Sequence, residues 1–166
     1  MNDSLISIFV TDLTEYANGR LIGKWYDMKN FIDIPTMLKD CGIPSGHEWF
    51  ITDYDSDFGV DCGEYPSQKD LENMHELTEL ASEYDSDLIK ALFCVYGDLQ
   101  DVIDNIGDAF IYDADNLDDL GRELLQGVDI EGKLGDLEYY FDYAAYAEMQ
   151  INSGFITDTG YGYINA

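Results

Sequence analysis

The chain has 166 residues, with 35 Asp plus Glu against 8 Lys plus Arg and a formal charge of −27 at pH 7. Hydrophobic residues make up 46% and aromatics 14%, which excludes an acidic disordered tail, because such tails lack the apolar content needed to fold. Self-repulsion on this scale destabilises a compact state. The composition therefore points to a folded protein that uses its charge on a basic surface or a cation, and away from nucleic acid and anionic membranes.

The opening Met1-Asn2-Asp3-Ser4 has no basic region, which predicts no secretory signal. Leu5–Leu13 is rich in β-branched and aromatic residues and reads as a strand, and its apolar stretch is far too short to span a bilayer. Asn18-Gly19 is a turn signal, with Arg20–Met28 as the returning strand. Pro35 opens a short helix that Gly42 closes, and Glu48–Tyr54 reads as a further strand. Ser67 is a good N-cap with Asp70 three residues on, ahead of a helix over Gln68–Tyr84. On that helix Leu71, Met74, Leu77, Leu80, Ala81 and Tyr84 share one half, and Glu72, Glu76, Glu79 and Glu83 lie on the other. Ser86 is expected to cap a helix through Tyr96, and Asp98–Ile106 to form another. Ala109–Tyr112 reads as a strand and Asn116 as the cap of Leu117–Gln126. Gly127, Gly132 and Gly135 make the next stretch loop-like. Leu137–Met149 reads as an aromatic-rich helix, and Phe155–Ile164 as a hairpin across Asp158-Thr159-Gly160.

These pieces predict an elongated α+β chain of small modules. They are an N-terminal antiparallel β module (1–61), a central acidic helical module (62–106) and a C-terminal acidic α+β module with a β-hairpin (107–166). Cys41, Cys62 and Cys94 are odd in number and include no C-x-x-C pair, which fits free thiols in a reducing compartment rather than a disulfide framework or zinc site.

The charge is uneven. Residues 1–50 sum to −3, residues 51–100 to −11 and residues 101–166 to −13. The row Glu72, Glu76, Glu79 and Glu83 contains no Lys or Arg, although like charges at these spacings cost about 0.2–0.5 kcal/mol per pair in a helix. The same lack of compensation recurs at Asp101, Asp104 and Asp108, and at Asp115, Asp118 and Asp119. An ordinary solvated helix face mixes signs. Duplex DNA carries one phosphate charge per ~1.7 Å of axis, so 27 such charges span roughly 46 Å of duplex. Acids four residues apart on a helix recur at about 6 Å.

The segment Ile8-Phe9-Val10 followed by Tyr16-Ala17-Asn18-Gly19-Arg20-Leu21-Ile22-Gly23-Lys24-Trp25 resembles the opening of the ArdA family of antirestriction proteins. Glu48-Trp49-Phe50-Ile51-Thr52-Asp53-Tyr54-Asp55 is similar to that family's second motif, and Tyr140-Phe141-Asp142-Tyr143 and Gly162-Tyr163-Ile164 to later ones. The resemblance implies a cytoplasmic, dimeric mimic of B-form DNA, carried by mobile genetic elements. Such a protein occupies the DNA-binding groove of type I restriction–modification enzymes in a bacterial host. Carboxylates then stand in for phosphates, and the candidates are Asp70, Glu72, Glu76, Glu79, Glu83, Asp85, Asp87, Asp101, Asp104, Asp108, Asp115, Asp118, Asp119, Glu123, Asp129 and Glu131. The aromatic rings of Leu137–Tyr146 read as helix core. Alternatively Tyr139, Tyr140 and Tyr143, with Phe110 and Ile111, form a dimer contact.

Two other readings share the acidity. Asp53, Asp55, Asp57, Asp61 and Glu64 fall at EF-hand spacing, but Phe58 stands where the loop needs Gly and the entering segment reads as strand. An acidic binder of basic nucleoid-type proteins differs only in its partner. Enzyme motifs are missing: His75-Glu76-Leu77-Thr78-Glu79 lacks the second His of a zinc-protease helix, and neither a Walker A sequence nor G-x-S-x-G occurs. No cofactor is expected.

Overall fold

The computed structural model describes residues 5–166, so the expectation placed on Met1–Ser4 lies outside the described residues. The protein is α+β, with eight α-helices and two three-stranded antiparallel sheets among those residues. It divides into two compact units, one ending at Tyr84 and the other beginning at Asp85.

In the first unit β1 (Ile6–Asp12) is the central strand, and it is buried along nearly its whole length. Ile6, Ile8 and Val10 alternate onto one face with no exposure, the period-2 pattern of a strand against a core. The strand ends at Asp12 rather than Leu13, and α1 (Leu13–Ala17) follows where the sequence pattern gave only a turn. The signal is Asp12-Leu13-Thr14-Glu15: the Asp12 carboxylate accepts the Glu15 N–H at 3.0 Å and caps the helix. The returning strand is shorter than expected, β2 (Gly23–Asp27), because Met28–Asn30 turns into a 3₁₀ segment capped by Asp27. Next comes α2 (Ile34–Asp40), capped by Asp33 with Pro35 in its first turn. Strand β3 (Trp49–Ser56) completes the sheet in the order β2-β1-β3. Phe9 pairs with Asp53 and Val10 with Ile51, so Thr52 is the extra residue of a bulge. Its hydroxyl lies 2.8 Å from that of Thr11.

Helix α3 (Gln68–Leu80) starts at Ser67 with the expected reciprocal capping box to Asp70. It packs on the 3₁₀ segment, where His75 Nδ1 meets the Met28 carbonyl at 2.9 Å. Leu71, Met74 and Leu77 are wholly buried. Burying three such side chains contributes about 5–9 kcal/mol, against about 1 kcal/mol of repulsion along the Glu row, so packing decides that the helix forms. It ends four residues earlier than the pattern predicts, which leaves Glu83 in the turn beyond it.

In the second unit α4 (Ser86–Tyr96) is capped by Asp85, not Ser86, and closes at Gly97, whose φ of 72° is left-handed. After α5 (Leu99–Asn105), capped by Asp98, comes β4 (Phe110–Tyr112). Asn116 caps α6 (Leu117–Leu124) as expected. The glycine-bearing loop contains a short helix, α7 (Ile130–Leu134), started by Asp129. The single helix expected over Leu137–Met149 is instead a 3₁₀ segment, Gly135–Tyr140, a break at Phe141-Asp142, and α8 (Tyr143–Asn152). The cause of the break is Asp142, whose backbone is extended and whose carboxylate accepts the Ala145 N–H at 2.9 Å. The hairpin forms from β5 (Thr157–Asp158) and β6 (Tyr163–Asn165), giving a sheet ordered β4-β6-β5. Helices α6 and α8 pack closely around Leu120, Ala147 and Ile156. Gly121 permits that approach: a Cβ there would lie 2.0 Å from the Tyr143 carbonyl oxygen.

Candidate acidic interface and aromatic cleft

The acidity has two structural origins. Aspartates Asp12, Asp27, Asp33, Asp85, Asp98, Asp129 and Asp142 cap helical segments, each accepting a backbone N–H at 2.7–3.0 Å. Anionic oxygen at a helix N-terminus is favourable, so these seven acids serve the fold. Asp33 is held below the ordinary carboxylate value by the Thr36 hydroxyl and N–H. Asp12 is the extreme case, because it is buried and also receives His47 Nδ1 at 2.7 Å. Burial works to raise its carboxyl, but the hydrogen bonds from His47 and the Glu15 N–H outweigh it and hold it below 3.8.

Most of the remaining acids face solvent. Of the 16 candidate phosphate mimics, 13 are exposed, while Asp70, Asp119 and Glu123 are half-buried. The described residues form four ion pairs, Arg20–Glu15, His47–Asp12, Lys90–Asp87 and Arg122–Asp118. Only Asp87 and Asp118 among the candidates therefore have a basic partner. Asp70 is spent in the capping box, and Glu72 and Asp104 accept from Gln68 and Gln100 one helical turn earlier. Asp119 accepts from the Asn116 side chain at 2.6 Å. Asp85 and Asp129 are exposed although they also act as caps. Glu72, Glu76 and Glu79 line the solvent face of α3, and no basic residue stands in its last turn. This row belongs to the first unit; the candidates from Asp85 onward belong to the second. Both units are acidic, with 17 acids and 5 bases (−12) up to Tyr84, and 18 acids and 3 bases (−15) from Asp85.

The five candidate contact aromatics do not form one cluster. Phe110, 54% exposed, and Ile111 stand on β4, an edge strand paired only with β6. Tyr139 is 92% exposed and Tyr140 85%, which corrects the helix-core reading of that stretch: the 3₁₀ segment holds these rings out of the core. Tyr143 is half-buried at the start of α8. It lies in a cleft of about 620 Å³ lined by Arg122, Glu131, Gly135, Asp136, Glu138, Tyr139, Phe141 and Tyr143. Inside it the Arg122 guanidinium sits over the Tyr143 ring, 4.2 Å from its centroid. Arg122 also pairs with Asp118 at 2.7 Å, and this hydrogen bond raises its already high pKa. Phe141 meets Tyr143 edge-on at 4.8 Å. Sequence reasoning missed this cleft.

The EF-hand-like acids are arranged otherwise. Asp53 and Asp55 are in β3, not in a loop after a helix. The following segment folds back so that the Glu64 carbonyl accepts the Ile51 N–H at 2.8 Å. Among the described residues no three His, Cys, Asp or Glu side chains are grouped as a metal site, and no helix is long and apolar enough to cross a membrane. Both histidines are held in the fold, His47 on Asp12 and His75 on a backbone carbonyl.

What the arrangement offers is an exposed carboxylate surface on both units with almost no internal compensation. No curated protein matches the chain by sequence. The pattern of the ArdA antirestriction protein family matches residues 8–163 of 166, and the chain belongs to that family.

Proposed function

We propose that this antirestriction protein is a DNA mimic that fills the DNA-binding groove of type I restriction–modification enzymes. The observation that carries the reading is the exposed carboxylate row of α3, which has no basic partner, together with its counterparts in the second unit. An enzyme's DNA groove is lined with Lys and Arg that neutralise phosphates. Carboxylates of similar spacing pair with the same groups and release counterions. Such a surface carries no base edges, so it copies only the sequence-independent part of recognition. Association is fast and weakens with salt, and no bond is made or broken. The protein acts in the bacterial cytoplasm, where its targets are.

The chain works as a homodimer in this reading. The open edge of β4, bearing the exposed Phe110 and half-buried Ile111, is the self-contact, since an unpaired strand edge is a template for a second strand. Replacing Phe110 by Asp leaves a monomer by sedimentation if this is right.

The test of the mimic is promiscuity. Two type I enzymes with unrelated target sequences are both inhibited, at concentrations within about tenfold of each other. Inhibition confined to one target specificity contradicts a mimic of the phosphate backbone.

A further inference from the structure

The cleft in the second unit already contains one seated cation. Arg122 lies over the Tyr143 ring and is held by Asp118, the combination of ring face and carboxylate that suits a planar guanidinium. Beyond that seat the same chemistry is repeated without a cation. Tyr139, 92% exposed, lines the same cleft as Phe141, Glu131, Asp136 and Glu138. Tyr139 and its chain neighbour Tyr140 both hold large rings in water, and exposed apolar patches rimmed by polar residues mark interaction sites. The cleft volume of about 620 Å³ is in the range that takes a side chain or small ligand.

We propose that this outer part of the cleft is a seat for an arginine side chain of the protein's basic partner. The guanidinium lies against Tyr139 and Phe141, and the carboxylates of Glu131, Asp136 and Glu138 accept its N–H groups. Charge decides the occupant. A second copy brings another surface with 18 acids and 3 bases in this unit, whereas a DNA-binding groove brings arginines. The seat thus rests on the mimic reading and sharpens it. Most of the surface takes any cation at its rim, but this cleft selects arginine over lysine, because an ammonium has no plane to stack. The Tyr139 ring is therefore assigned to the partner, and the self-contact stays on β4.

The test uses the full-length protein and N-acetyl-arginine amide as probe, with N-acetyl-lysine amide as control, followed by aromatic NMR shifts of Tyr139, Phe141 and Tyr143. The expected result is a saturable shift with the arginine probe at these rings and binding several-fold weaker for the lysine probe. Tyr139→Ala, at a position outside the core, weakens the arginine probe about two- to fivefold, and Tyr139→Phe restores it. Equal binding of both probes, shifts that never saturate, or unchanged binding in Tyr139→Ala each overturn the seat. The assay contains no restriction enzyme, so its failure leaves the mimic reading standing. A saturable arginine shift in a protein that inhibits no type I enzyme keeps the seat and removes the mimic.

Discussion

Replacing Glu72, Glu76 and Glu79 together by Gln separates a functional charge row from a merely solvated one, because the two properties move in opposite directions. The row contains two like-charged pairs within α3, Glu72–Glu76 at i,i+4 and Glu76–Glu79 at i,i+3, each costing about 0.2–0.5 kcal/mol. Glu79 also sits in the last turn, where the helix dipole disfavours a negative charge by about 0.3–1 kcal/mol. Gln and Glu have nearly equal helix propensity, so removing the three charges stabilises the first unit by about 0.7–2 kcal/mol. The only tryptophans, Trp25 and Trp49, are both in that unit, so tryptophan fluorescence in urea reads its transition directly. The midpoint rises with an unchanged slope. Inhibition falls: three exposed ionic contacts at about 0.2–1 kcal/mol each amount to about threefold to 150-fold in the inhibition constant. A variant that is more stable and inhibits as well as the parent refutes the functional reading of this row. A variant less stable than the parent refutes the energetics.

Gly121→Ala forces α6 away from the Tyr143 backbone and costs about 1–3 kcal/mol, seen as a lower melting temperature by circular dichroism. Asp12→Ala strips α1 of its cap and His47 of its partner and destabilises the first unit by about 2 kcal/mol or more. Because the Asp12 carboxyl is lowered from 3.8 in the fold, its contribution is complete above that pH and is lost as pH falls through the folded value. The variant accordingly shows a shallower loss of stability as pH falls below 3.8. Among the thiols, Cys94 is exposed, while burial pushes Cys41 up to about 11, with Asp40 adding to the shift and Lys24 opposing it. A disulfide reagent at pH 8 labels Cys94 in the native protein well before Cys41, and equal rates contradict the burial of Cys41.

The sequence was most legible where one strong local signal met one clear period. Ser67, Asp70 and the alternation of Leu71, Met74 and Leu77 with the glutamates placed α3 and its exposed row, because cap and amphipathic face agree. Aspartate was misread where it alone starts a helix. Asp12 starts a helix in what looked like strand and turn, Asp85 displaces Ser86 as a cap, and Asp142 cuts an aromatic run in two. In a chain this acidic, a capping aspartate looks like any other surface charge, so seven of them were invisible as fold determinants. The Thr52 bulge and the α6–α8 approach at Gly121 depend on pairing between distant segments, which no local pattern carries. The cleft was hidden for the same reason: Arg122 reaches Tyr143 only once α6 has docked on α8, and Tyr139 points outward only because the break at Asp142 ends the helix that was expected to bury it.

The central claim is tested most directly by displacement. Labelled DNA is bound to a type I methyltransferase core, the protein is titrated in, and its inhibition constant is corrected for the DNA's own affinity at 50 and 200 mM salt. The account predicts competitive displacement at low salt and an inhibition constant that weakens by about a hundredfold or more across that interval, as expected for several phosphate-like contacts. A folded protein that fails to displace DNA at low salt, or displaces it with no dependence on salt, contradicts the account.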